Sequence, residues 1–395
     1  MISFHLVTVL ACLFFSASVA VPQPIPGPRP IPNPFFNPIS VIADGVKDQL
    51  AGLASKLANA KPTATPTSVE EVVSTLKAIL GPKPTGLVTN GLKFLTSGLQ
   101  VEGIMGVTID SPAPPGNINS FHNNNPRPPQ VIFPQADLED PPFTKTEDEL
   151  RAAIFIPATF QVADKTSPPV LLILAQNRSL GQAAWLNIPG AMLDDVQTNA
   201  EFIAYGVNYL ASVTGAKVSV VGWSQGNLAT QWALQYWMSV RGATKQLVAF
   251  SPDFHGTVVS NIADLPLINQ IPLPPSILQQ QFNSALVRTL RTGGGDAAYV
   301  PTTTLYSAVF DEIVQPQAGK SASAFLLDTR GVGVSNNEIQ SVCPDTPAGD
   351  FGSHSSVLFN SVATALAVDA LNWGARPTRS ASTSKPYARI WRTPP

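Results

Sequence analysis

Charge is what this chain has least of. Its 395 residues hold 24 lysines and arginines and 26 aspartates and glutamates, 13% in all, where an average soluble protein carries roughly 25%. A formal net charge of −2 supplies no basic patch or stripe, which excludes nucleic acid as a partner. Cysteine is scarce too. Cys12 and Cys343 are the two, too few for a zinc cluster or a disulfide framework. Beyond the first residues no stretch is apolar for 18 positions, so the mature chain is expected to be soluble. Proline is the opposite case: there are 38, against a usual share of ~5%, and 21 of them fall in residues 1–142.

Residues 2–15 are almost all apolar and run into Ser16-Ala17-Ser18-Val19-Ala20, a small-residue pattern of the A-x-A type. This predicts a secretory signal peptide over 1–20 and a secreted product, although His5 stands where a positive n-region is usual. Removing the leader leaves Cys343 as a lone thiol. Asn177-Arg178-Ser179 is the one N-x-S/T sequon. Proline at nearly every second position over 21–38 predicts an extended, polyproline-like stalk. Val46, Leu50, Leu53 and Leu57, then Val69, Val72, Val73, Leu76 and Leu80, recur at helical spacing. A second proline-rich stretch covers 111–142. Residues 21–142 therefore read as a pro-region covering the folded unit, or as a stalk. The unit itself is expected over 143–374, followed by a basic, disordered tail over 375–395.

From about residue 150 strand and helix signals alternate, which predicts an α/β fold with a mainly parallel sheet and helices on both faces. Strands are expected at 170–174, Trp185–Ile188, Lys217–Val221, Gln246–Phe250 and Thr303–Phe310. Helices are expected from Asp195 to a Gly215 cap, from the serine below to about Val240, and over Ser356–Leu371.

Gly222-Trp223-Ser224-Gln225-Gly226 carries the chemistry. A G-x-S-x-G run between a strand and a helix is the setting of a nucleophile elbow, where a sharp turn lifts the serine hydroxyl above the sheet. The flanking glycines admit close approach of neighbouring chain, and the helix N-terminus favours developing negative charge. A serine hydroxyl is a weak nucleophile. It needs a base, itself oriented by an acid, in the chain order serine, acid, histidine. His122 precedes the serine and fails on order. His255 follows too soon to leave room for an acid. His354, in a polar loop ahead of an apolar helix, is the expected base. Asp311, at the end of the 303–310 strand, is the expected acid, with Asp253 and then Glu312 behind it.

Several blocks then resemble the fungal lipase B (CalB-like) family of α/β-hydrolases. They are Met192–Asn199, Trp223-Ser224-Gln225-Gly226, Ser251-Pro252-Asp253 with Gly256-Thr257-Val258, Pro301–Ala308, and Asp311–Gln317. In order, they cover roughly residues 144–373. The resemblance implies an α/β-hydrolase fold and a secreted ester hydrolase acting on triacylglycerol and other esters, without metal or cofactor. It implies Ser224 as nucleophile, Asp311 as acid, His354 as base and the Gln225 amide as oxyanion donor. It also implies a pocket rim within Ile262–Leu278. Trp223, Ile271 and Leu278 are the expected substrate contacts. Transient contact with a lipid interface is expected, with no obligate protein partner.

Two segments depart from the family pattern. After Leu174, Ala175-Gln176-Asn177-Arg178-Ser179-Leu180-Gly181 stands where the family has a Pro-Gly-Thr-Gly oxyanion loop. The segment is also short for a parallel crossover, which takes about a dozen residues or more, so either the loop is rebuilt or residues are missing from the gene model. The basic tail lacks the family's C-terminal pattern, and a partner for Cys343 is absent. Two readings stay open at this point: an active ester hydrolase, and a catalytically weak or silent α/β-hydrolase that serves as a secreted binding protein.

Overall fold

The computed structural model describes residues 123–375, apart from 163–168, 174–182, 265–272, 309–310, 312, 345, 351, 353 and 355. The expected signal peptide, the stalk and helices before His122, and residues 376–395 of the tail lie outside the described residues. So do Cys12, the Asn177 sequon, the loop after Leu174, Ile271 and Glu312.

Seven strands among the described residues form one sheet in the order β1-β3-β2-β4-β5-β6-β7. They are β1 (Ile154–Phe155), β2 (Val170–Ile173), β3 (Ala183–Leu186), β4 (Val218–Trp223), β5 (Thr244–Phe250), β6 (Thr302–Tyr306) and β7 (Val334–Glu338). Only β1 runs antiparallel, along β3; the other neighbours pair in parallel. A parallel sheet is covered on both faces, so its inner strands are apolar throughout rather than alternating. The Val-Leu-Leu-Ile of β2 is buried at every position.

Alternate strand residues feed two cores. Leu171, Ile173, Val218, Val220, Leu247 and Ala249 pack under α2 (Val196–Thr214) and α3 (Gln225–Tyr236), with the short α1 (Glu147–Ala152) ahead of them in the chain. Val170, Leu172, Val221, Val248 and Phe250 pack under α7 (Ser361–Trp373), which comes after the short α6 (Ala285–Leu290) in the chain, through its small residues Ala363, Ala367 and Ala370. As expected, Asp195 caps α2, accepting from the Thr198 amide at 2.8 Å, and Gly215 closes it. This is the α/β-hydrolase architecture with helices on both faces.

The packed unit reaches back beyond residue 143. Ile132 and Phe143 belong to the core under α2. Tyr209 donates its hydroxyl to the Pro126 carbonyl at 3.0 Å, and the Gln130 amide donates to Ser212 Oγ at 3.0 Å. Within this proline-rich stretch, the apolar side chains decide where the chain docks.

Several boundaries shift for local reasons. The single helix expected to run to Val240 is broken. Trp237 takes extended backbone, its ring stacked 6.2 Å from Phe143, and α4 (Met238–Ala243) starts anew. The strand expected to reach Phe310 stops at Tyr306. Beyond it the Ala308 amide donates to Gln340 Oε1 at 2.9 Å, and Gln340 Nε2 donates to Ser307 Oγ at 2.9 Å, so a side chain replaces the ladder. Asp311 therefore sits in a loop past β6 rather than at the strand's end. The Ser356–Leu371 helix is a short 3-10 turn followed by α7, separated by Asn360, whose side chain accepts from the Val362 and Ala363 amides. Strand β3 begins and ends two residues earlier than Trp185–Ile188.

Candidate active site

The site begins at the corner between β4 and α3. Ser224 fills it alone, with φ 53° and ψ −132°. A non-glycine residue held there stores strain, and the surroundings show how it is held. A Cβ at Gly222 would come 2.3 Å from Asn227 Oδ1, and one at Gly226 would come 3.0 Å from Ile173 Cγ2. The glycines on either side thus permit the close approach that the turn demands. Asn227 Nδ2 ties the corner by donating to the carbonyls of Ser224 at 3.2 Å and Phe250 at 3.1 Å. Gly222→Ala is expected to displace Asn227 and lower stability by about 1–3 kcal/mol, the usual cost of an overpacked site, read as a fall in thermal midpoint.

Three side chains far apart in sequence meet above this corner. His354 Nε2 lies 2.9 Å from Ser224 Oγ. His354 Nδ1 lies 3.0 Å from each carboxylate oxygen of Asp311. Asp311 is fully buried and His354 nearly so, so the pair works in a low-dielectric setting. The Asp311 carboxylate also accepts from the amides of Ile313 at 3.1 Å and Val314 at 2.9 Å. Thr257 pins the same loop from the other side, donating to the Ile313 carbonyl at 2.7 Å and accepting from the Gln315 amide at 3.0 Å.

The base is anchored through its backbone. The His354 carbonyl accepts from Trp223 Nε1 at 3.2 Å and from Ser251 Oγ at 3.3 Å. The Trp223 ring lies 5.1 Å from the imidazole, tilted by 34°. Trp223 is therefore placed against the base, at the mouth of the elbow.

Gln225 opens α3, so its amide has no helical carbonyl to bond and is free to meet charge developing beside Ser224. Its side chain is locked. Nε2 donates to the Met192 carbonyl at 2.7 Å, and Oε1 accepts from Gln280 Nε2 at 3.1 Å. Met192 and Ala191 hold positive φ values of 64° and 52° to present that carbonyl. Gln280, itself buried, follows the short α5 (Pro275–Gln279). Leu278 stands on α5, 42% exposed, two residues from this contact, where a rim residue would be. Ile271 lies outside the described residues.

His255 is committed elsewhere, its Nε2 3.1 Å from Asp296, which also holds Arg291 at 2.8 Å. Asp253 reaches no partner among the described residues beyond its own amide. Ser251 and Thr257 fall in blocks that resemble the family and Gln280 does not, but the supporting contacts of all three depend on segments brought together by the fold, which no local pattern marks. A mainly parallel sheet, a strained serine between strand and helix, and a histidine and aspartate from later loops define an α/β-hydrolase with a serine-centred site.

No family model matches the chain. It is 38% identical to the Aspergillus fumigatus lipase B crystal structure, covering 87% of this chain and 84% of that one with a TM-score of 0.62. It is 40% identical to Lipase B of Pseudozyma antarctica over 162 residues, which is 40% of this chain and 44% of that protein. The chain thus spans less than half the length of the curated relative it matches. By its likeness to the Aspergillus structure, the chain belongs to the lipase B family.

Proposed function

We propose that the protein is a secreted serine hydrolase of carboxylic esters, with triacylglycerols and other apolar esters as its substrates. The observation that carries this reading is the 2.9 Å contact between Ser224 Oγ and His354 Nε2, with the other ring nitrogen on buried Asp311. In the mechanism this supports, Nε2 takes the hydroxyl proton as Oγ attacks the ester carbonyl. Asp311 holds the ring orientation and stabilises the imidazolium. The Gln225 amide meets the oxyanion, in the water-poor setting where such donors contribute most. His354 then protonates the departing alkoxide, and water repeats the sequence on the acyl-enzyme to release the acid. The names of the relatives support lipid esters as substrates, and the apolar leader over 1–20 supports secretion.

A fluorophosphonate probe tests the reading directly. Wild-type protein is expected to be labelled at Ser224 and to hydrolyse p-nitrophenyl butyrate, with both lost in Ser224→Ala. A folded wild-type protein that takes up no probe would overturn the assignment in favour of a catalytically silent binding protein.

A further inference from the structure

Among the buried acids of the described residues, Asp253 is used neither by this mechanism nor by a structural contact of its carboxylate beyond its own amide, whereas Glu201 and Asp140 accept hydrogen bonds from neighbouring segments. Strand β5 lies between β4, which leads to Ser224, and β6, which leads to Asp311. Asp253 leaves the C-terminal end of β5 three residues after Phe250, between the two halves of the site. The chain here is tightly held. Ser251 has φ 37° and donates to the His354 carbonyl, Gln317 Nε2 donates to the Pro252 carbonyl at 3.3 Å, and the Gly256 amide donates to the Asp253 carbonyl at 2.8 Å. The Asp253 side chain is 0% exposed, and both of its oxygens lack a partner among the described residues other than its own amide.

Resting on the reading above, we propose that Asp253 is a positioning residue of the site: a carboxyl group buried without a partner side chain among the described residues at the end of β5, between the strands that lead to Ser224 and Asp311, that acts through space on His354 and sets the pH at which the imidazole becomes a base. The reasoning begins with solvation. A carboxylate buried without donors or a cation is strongly disfavoured, so the group keeps its proton until the pH rises well above the ordinary range. Burial pushes this carboxyl from 3.8 up to about 7, where the His354 charge eases its ionisation and the Asp311 charge opposes it. Among the described residues these are the two charged groups that bear on it. His255, two residues along, is turned to Asp296 and Arg291. Once its proton passes to bulk water, Asp253 places a second negative charge beside the imidazole and raises its proton affinity. The two groups then titrate as a coupled pair rather than singly.

The test is Asp253→Asn in the full chain, which keeps the shape and fixes the neutral form. Two readouts are used: the pH profile of kcat/KM for p-nitrophenyl butyrate, and the titration of the His354 ring followed by NMR. With the second charge gone, the acid limb and the His354 titration are both expected to move to lower pH by about one unit, with a lower rate on the alkaline plateau. A purely structural role would lower the rate at every pH and leave both midpoints in place, which would overturn the proposal. The NMR readout needs no turnover, so a wild-type protein inert toward esters would sink the proposed function while the ring titration still decides this point. Should the variant fail to fold, the wild-type ring titration decides it. Two coupled steps are expected, and a single step would overturn the proposal.

Discussion

Ser224→Ala is expected to lower kcat toward p-nitrophenyl butyrate by about 10⁶-fold, the loss seen when a serine nucleophile is removed from a comparable triad. At about 1.36 kcal/mol per tenfold this is near 8 kcal/mol of transition-state stabilisation. The size follows from the geometry. Ser224 Oγ is bonded to His354 Nε2 at 2.9 Å, and the ring to Asp311 at 3.0 Å, so on the proposed mechanism the three act as one proton-handling unit. Removing the serine or the histidine is expected to disable the other. His354→Ala should therefore cost about as much, and the double variant little more than either single one, because triad losses do not add. Asp311→Asn should cost less, about 10⁴-fold, by offering the ring the wrong hydrogen-bonding partner. Stability should separate these variants differently. Ser224→Ala deletes one hydroxyl and should keep its thermal midpoint, whereas Asp311→Asn alters a fully buried group whose Oδ1 accepts from two backbone amides. Single-turnover rates in the three single variants and the double variant check this. Additive losses, or an alanine variant within a hundredfold of wild type, would show that Ser224 is not the attacking group.

Much of this was legible in the residues, for definable reasons. The glycines and serine of 222–226 report a backbone shape that few other residues tolerate, so the elbow could be read directly. Long periodic segments were equally plain. Asp195 and Gly215 bracket α2 because capping is a local interaction. The choice of Asp311 and His354 needed chain order and the family likeness, since an aspartate in a loop looks the same whether it is solvated or buried. Edge strands were missed for the opposite reason. The Val-Ser-Asn-Asn-Glu of β7 has no apolar run, since an edge strand needs only one neighbour, and β1 is two residues long. Boundaries set by a distant side chain also escaped, as where Gln340 ends β6. The Gln280 contact that fixes Gln225 joins positions 55 residues apart, and nothing local marks it. Asp253 shows the same limit most sharply. Its position after a strand is plain in the sequence, but its protonation depends on burial, which composition and spacing do not encode.

That burial has a thermodynamic consequence separate from catalysis. In the folded protein the Asp253 carboxyl is pushed up to about 7 from an ordinary 3.8, while the unfolded chain ionises near the ordinary value. Below pH 3.8 both states hold the proton, and the group has no effect on the balance. Between the two values the unfolded state releases its proton and the folded state keeps it, so fewer protons are bound on unfolding and stability falls as pH rises. Above about pH 7 both states are ionised, and the full cost of a buried charge is present. A gap of three units at about 1.36 kcal/mol each sets that cost at ~4 kcal/mol. Asp253→Asn cannot ionise and so escapes it. Urea unfolding at pH 4, 5.5, 7 and 8.5 should therefore show the variant gaining on wild type by ~3 kcal/mol between the first and the third, with only a few tenths more at the fourth. The baseline difference at pH 4 reports only how well an amide replaces a carboxylic acid in the same space, so the slope carries the result. A difference that stays constant across the four pH values would mean that Asp253 ionises in the folded protein much as it does in the unfolded chain, with a donor or solvent reaching its oxygens.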